Sequence, residues 1–128
     1  MNGNDLKLRT KNFAVNCINL TEEFPNSYLA IHIKKQLLRS STSVAANYRA
    51  TNHAQTKAGF ISKLSIVVEE CDECEYWLEL VIDKQILSKE KVVSILNEAH
   101  ELTSIFIVSR KTAINNLKQL SIKKINVS

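Results

Sequence analysis

The sequence predicts an all-α protein whose single domain, residues 1–128, is an antiparallel up-down-up-down four-helix bundle. Only two glycines and one proline occur in 128 residues, which is too few turn residues for a typical sheet protein. One long segment also repeats its apolar residues at alternating four- and three-residue steps over three heptads, as in the seam of a left-handed bundle. These seam residues are Phe60, Leu64, Val67, Cys71, Cys74, Leu78 and Val81.

Four segments have helical periodicity, with expected bounds at about 5–23, 28–50, 55–84 and 88–117. The first segment places five apolar residues on one face: Leu6, Phe13, Cys17, Leu20 and Phe24. Pro25 cannot continue a helix, and Asn26 or Ser27 can cap the next one. Because the connections between segments are short, neighbouring helices are expected to be antiparallel.

The second and fourth segments complete the predicted core. The second directs five residues inward: Leu29, Ile33, Leu37, Val44 and Tyr48. Ser88 caps the fourth, whose seam is Val92, Leu96, Ala99, Thr103, Phe106 and Ala113. The tail, residues 118–128, carries lysines and no acid, and we expect it to fray.

A polar stripe follows the apolar face of the second segment. Serine and alanine at this position let another helix approach closely, and the hydroxyls can satisfy local carbonyls. Arg39 lies at the edge of the stripe, and we expect it to meet Glu70 or Glu73 across helices 2 and 3 as a buried fork that fixes register. The predicted structural polar cluster is Gln36, Arg39, Ser43, Asn47, Glu70 and Glu73. An anion pocket at Arg39 is the alternative.

Cys71 and Cys74 form a Cys-x-x-Cys pair, but no second such pair exists to complete a zinc site. The pair lies within the seam rather than at a helix N-terminus, where a redox cysteine is activated. We therefore expect small buried core residues, with no metal and no cofactor. Three cysteines do not suit a disulfide framework, and no apolar run is long enough for a membrane span, so a cytoplasmic location is expected.

The sequence predicts no enzyme. Seven acids crowd residues 69–83, but the Glu-x-x-His spacing of di-iron bundles is absent. No glycine-rich phosphate loop or nucleophile motif occurs either.

Several motifs resemble a bacterial four-helix-bundle family, the proteins encoded in intervening sequences of 23S rRNA genes. The resemblance covers roughly residues 5–117 and rests on Phe24-Pro25, Gln36-x-x-Arg39-Ser40-x-x-Ser43-Val44-x-Ala46-Asn47, Phe60-x-x-x-Leu64-x-Ile66 and Glu70-x-Asp72-Glu73-x-x-Tyr76-Trp77-Leu78-Glu79-Leu80. It implies an antiparallel bundle. By analogy with the related retroelement accessory variability protein, it also implies a ring-like homopentamer whose basic surface can bind nucleic acid.

Charge is unevenly distributed along the chain. The net charge is +4, yet residues 69–83 contain seven acids and no base, so the remainder carries +11. Oppositely charged surfaces on one small domain can meet head to tail, and the remaining basic surface would face RNA or DNA. The residues expected to contact phosphates are Lys7, Arg9, Lys11, Lys34, Lys35, Arg110 and Lys111.

Two functions remain open at this point. One is a homo-oligomeric accessory protein that binds nucleic-acid backbones without reading sequence. The other is an oligomeric scaffold or adaptor that binds another protein, whose lysines only keep the surface soluble.

Overall fold

The computed structural model describes residues 1–127 as four α-helices joined by short connections. They are α1 (Gly3–Thr21), α2 (Tyr28–Thr51), α3 (Lys57–Asp83) and α4 (Lys89–Val127). Helix α1 packs against α2 and α4, and α3 also packs against α2 and α4. Consequently α1 and α3 occupy diagonal corners, and the predicted antiparallel four-helix bundle is confirmed.

Side chains of the sequence start three of the helices. Asn2 and Asp5 form a reciprocal capping box at α1. Ser27 accepts a hydrogen bond from the Ala30 amide at 3.2 Å, and Thr56 accepts one from the Gly59 amide at 2.9 Å. These caps place each helix start within about two residues of its predicted position.

The end of α3 is a Schellman turn. Gln85 has a φ of 55°, the left-handed conformation that usually favours glycine. The amide of Ile86 donates to the Val81 carbonyl at 2.9 Å, and the amide of Gln85 donates to the Ile82 carbonyl at 3.0 Å. The turn reverses the chain into α4 without a glycine.

The heptad seam of α3 forms the centre of the core. All of its predicted residues from Leu64 to Val81 are buried, while Phe60 packs against the core at its edge. Leu29, predicted to point inward, is 39% exposed, and its neighbour Ala30 is fully buried instead. The inward face of α2 therefore begins at a small residue, Ala30.

Helix α4 differs most from its prediction. It continues as a helix to Val127, so the expected end near Leu117 is wrong. The expected fraying of residues 118–128 stays a prediction, and Ser128 lies outside the described residues. No glycine or proline interrupts this segment, and its Lys, Gln and Leu residues favour helix.

The last part of α4 projects beyond the bundle. Ala113 and Asn116 border a cleft with the α2–α3 connection, and Lys118 through Asn126 are all exposed. We call residues 117–127 the projecting segment; it extends about 16 Å at the helical rise per residue.

Candidate nucleic-acid interface

Arg9, one of the seven predicted phosphate contacts, is held inside the bundle surface by two glutamates of α4. Its Nε and Nη2 donate to Glu98 at 2.8 and 2.6 Å, and Nη2 lies 3.1 Å from Glu101. The side chain is only 21% exposed. The hydrogen bond to Glu98 is the main cause that raises the pKa of Arg9 above its ordinary value. Arg9 therefore joins α1 to α4, and its guanidinium already contacts two carboxylates.

The other six predicted contacts form no ion pair among the described residues, but they do not form one surface. Lys7 and Lys11 border a groove between α1 and α2. Lys34 and Lys35 lie in the first half of α2, and Arg110 and Lys111 lie on α4. The structure thus separates the two cations of α4 from the four lysines of α1 and α2.

The group on α4 belongs to a larger basic region that the sequence prediction did not assemble. After Glu101, the described part of α4 contains five basic residues and no acid: Arg110, Lys111, Lys118, Lys123 and Lys124. Helix α3 starts beside this part of α4, and its residues 57–68 carry Lys57 and Lys63, again without an acid. We call these seven residues the basic end of the bundle.

Lys111 and Lys118 are two helical turns apart and therefore share one face of α4. Both are exposed, as are Lys123 and Lys124. Long lysine side chains on a projecting helix can reach phosphates on either side of a nucleic-acid groove, because a single α-helix fits the major groove of a duplex. A continuous helix and the absence of acid after Glu101 were the sequence signals for this region.

Only part of the predicted polar cluster, the contact of Arg39 with two glutamates, joins α2 to α3. Arg39 contacts both predicted partners, Glu70 at 3.2 Å and Glu73. Its side chain is 49% exposed, so the expected burial of this fork is wrong. The α2–α3 contact is filled instead by Ser40 and Cys74, whose Oγ and Sγ lie 3.3 Å apart, and this leaves the longer Arg39 at the edge.

The other members of that cluster act within α2. Asn47 donates to the carbonyl and the hydroxyl of Ser43, at 3.0 and 2.9 Å. The carbonyl of Gln36 accepts a hydrogen bond from Ser40 at 2.9 Å. These bonds stabilise one helix locally and do not extend to Arg39.

The three cysteines are free and fully buried, as predicted for Cys71 and Cys74. Burial is the main cause that raises the pKa of all three thiols, that of Cys74 to about 12. Such thiols are unreactive at neutral pH because the thiolate is the nucleophile. Among the described residues, no group of three or more histidine, cysteine and acidic side chains is arranged to hold a metal ion. None of the described helices has an apolar stretch long enough to cross a lipid bilayer.

The model of the 23S rRNA-intervening sequence protein family matches residues 4–107, which is most of the chain. The chain belongs to this family. A similar solved structure is that of a Bacteroides thetaiotaomicron protein of unknown function from the S23 ribosomal protein family. The two are 39% identical with a TM-score of 0.76, over 82% of this chain and 97% of that chain. No functionally curated protein matches the chain.

Family membership covers the bundle but not the whole basic end. The match to the 23S rRNA-intervening sequence family ends at Ile107. Arg110, the first of the five basic residues that follow Glu101 in α4, comes after this point. The projecting segment therefore lies outside the family match.

Proposed function

We propose that this protein is a non-enzymatic, homo-oligomeric accessory protein that binds the phosphate backbone of nucleic acid through the basic end. The observation that carries the proposal is that the described part of α4 after Glu101 contains five cations and no acid. Elsewhere in the described bundle the fold pairs Arg9, Arg39 and Lys91 with glutamates. Cations that the fold leaves unpaired remain free to release counterions from a polyanion, which drives backbone binding.

The proposed binding mode is independent of base sequence. Tyr28 and Tyr76 are the large aromatic side chains that are exposed, and neither lies on the basic end. Stacking of single-stranded bases on aromatic rings is therefore not part of the proposal. Phosphate contacts position a protein on a duplex without reading its sequence.

Self-association and location complete the proposal. The resemblance described above implies a homopentamer, and the free cysteines suit the reducing cytoplasm of a bacterial cell. The proposed phosphate binding and self-association involve no cofactor.

The test is the salt dependence of binding to a labelled RNA duplex and to a DNA duplex of the same sequence. Replacing Lys111→Gln and Lys118→Gln should reduce the slope of log affinity against log salt on DNA by about two, since each neutralised phosphate contributes about 0.9. Lys84→Gln with Lys89→Gln is the matched control, because it removes the same charge from exposed positions near the α3–α4 turn. Equal slopes for the two variants, or no salt-dependent binding by the parent, would contradict the proposal.

The second candidate is an oligomeric scaffold that binds another protein. Exposed apolar residues on the basic α4 favour it, namely Val108 at 63% and Ile122 at 51% exposure. A scaffold would show no salt-sensitive affinity for either duplex, and Ile122→Lys would abolish its partner binding. The two candidates therefore separate in the same experiment.

A further inference from the structure

The seven acids of α3 divide into two classes. Glu70 and Glu73 bind Arg39, while Glu75 is 2.7 Å from His100 Nδ1 and accepts a hydrogen bond from Thr103 at 2.9 Å. The other four form no ion pair and no side-chain hydrogen bond among the described residues. These unpaired acids are Glu69, Asp72, Glu79 and Asp83.

The four unpaired acids lie on one face of α3. Together with Tyr76 they follow one another at three- and four-residue steps, and all five are exposed. Tyr76 is at the centre of the row and is 54% exposed. We call this row the acid ridge: Glu69, Asp72, Tyr76, Glu79 and Asp83. Its two ends are fourteen residues apart, or about 21 Å of helix.

A groove of about 600 Å³ lies between α1 and α2. Its floor is made of small and aliphatic residues: Ala14, Val15, Ile18, Ala45 and Ala46. Lys7, Lys11 and Arg49 line it as well, and none of them forms an ion pair among the described residues.

Lys35 is not among the residues that line this groove, but it lies on the same face of α2, before the lining residues of that helix. It lies fourteen residues before Arg49, and the intervening steps through Leu38, Thr42 and Ala45 or Ala46 keep it on the same face of α2. We call the surface with Lys7, Lys11, Lys35 and Arg49 the basic groove. Cations therefore flank an apolar centre over about 21 Å, the same length as the acid ridge.

We propose that the acid ridge of one copy docks into the basic groove of the next copy. The proposal rests on the self-association proposed above and names the surfaces that carry it. Acids at both ends of the ridge meet cations at both ends of the groove, and the Tyr76 ring covers the aliphatic floor between them. Tyrosine suits such a position because it buries a large ring and keeps a polar hydroxyl at the rim.

The two surfaces form no ion pair with each other within one copy among the described residues, and α3 occupies the corner diagonal to α1. Each copy thus offers its ridge to one neighbour and its groove to another. Such head-to-tail contacts close into a ring when the rotation between neighbours allows it. Lys7, Lys11 and Lys35 then belong to the subunit contact, and the basic end provides the phosphate contacts.

Charge reversal tests the docking directly, with the mass of the assembly measured by light scattering after gel filtration. Two variants each reverse one surface: Lys11→Glu with Arg49→Glu in the groove, and Asp72→Lys with Glu79→Lys on the ridge. Each should reduce the mass to that of one chain, 14.5 kDa. The variant carrying all four substitutions should regain the parent mass, since its acidic groove meets a basic ridge.

Lys84→Glu with Lys89→Glu is the matched control and should keep the parent mass. Far-ultraviolet circular dichroism establishes that each variant is helical, and recovery in the four-substitution variant separates docking from misfolding. An oligomeric parent with unchanged single-surface variants, or a four-substitution variant that stays monomeric, overturns the docking and leaves the proposed self-association intact. A monomeric parent overturns both, while duplex binding remains a separate measurement.

Discussion

Several polar side chains of the bundle have partners within the protein, whereas those of the projecting segment of α4 are exposed to solvent. Inside the bundle, Thr10 and Ser40 are fully buried, and each donates to a carbonyl of its own helix. At the surface, Arg9 and Arg39 join helices through glutamates. The lysines of residues 117–127 are exposed and form no ion pair among the described residues. The fold thus uses the first set within and between its helices, whereas it leaves the second set exposed and without ion pairs among the described residues.

The largest effect that separates the two regions should come from the buried thiols above neutral pH. Their pKa values are raised on folding from an ordinary value of 9.0, that of Cys74 to about 12. The unfolded chain therefore loses its thiol protons first, so the stabilisation is complete below about pH 8 and falls as pH rises. At pH 10 the free energy of unfolding should therefore be lower than at neutral pH by about 4 kcal/mol, summed over the three thiols.

Urea unfolding at pH 8, 9 and 10 measures this effect. Replacing one cysteine at a time by alanine should remove about a third of the pH dependence, although each variant starts from a lower stability. A stability that is unchanged between pH 8 and 10 would contradict the burial of the thiols.

The interior was largely predictable from the sequence because its signals are periodic and local. The heptads of α3 gave its buried residues, and Pro25 with Ser27 marked a boundary. The contact of Arg9 with Glu98 joins residues 89 positions apart. No local sequence pattern predicts which residues of two such distant helices will meet. The full extent of α4 does not follow from its apolar seam, because an amphipathic seam ends where core contacts end, whereas the helix itself continues.

A leucine truncation in each region should give the next largest difference. Leu78 is fully buried, so Leu78→Ala should lower the free energy of unfolding by about 3 kcal/mol. Leu120 is 37% exposed on the projecting segment, and Leu120→Ala should cost less than about 0.5 kcal/mol. Thermal and urea unfolding check both values, and similar costs would remove the distinction between core and projection.

The loss of stability on removing each of the two arginine contacts should be larger for the less exposed arginine. Arg9→Met removes a two-pronged contact at 21% exposure and should lower stability by about 1 kcal/mol. Arg39→Met removes a half-exposed contact and should cost about 0.5 kcal/mol or less. A double-mutant cycle of Arg9→Met with Glu98→Gln isolates the pair; a coupling near zero would show that Arg9 does not join α1 to α4.

The smallest effect on stability should come from ending the chain after Asn116. The lost residues lie past the cleft formed with the α2–α3 connection, so the free energy of unfolding should change by less than about 0.5 kcal/mol. The same truncation should weaken duplex binding at low salt, since it removes Lys118, Lys123 and Lys124. A large loss of stability, or unchanged duplex binding, would each contradict the assignment of this segment to a partner.

The uninterrupted course of α4 has a consequence for avidity. From Lys89 to Val127 the helix contains no glycine or proline, so none of the residues that usually kink a helix separates the projecting segment from the bundle. In a closed ring every copy would present this helical arm on the same side, at a spacing set by the subunit contact. Once one arm is bound, the others meet the same duplex at a high effective concentration, so arms that are weak alone become strong together. Assembly would then act as the switch for nucleic-acid affinity, with no change in the conformation of any one subunit.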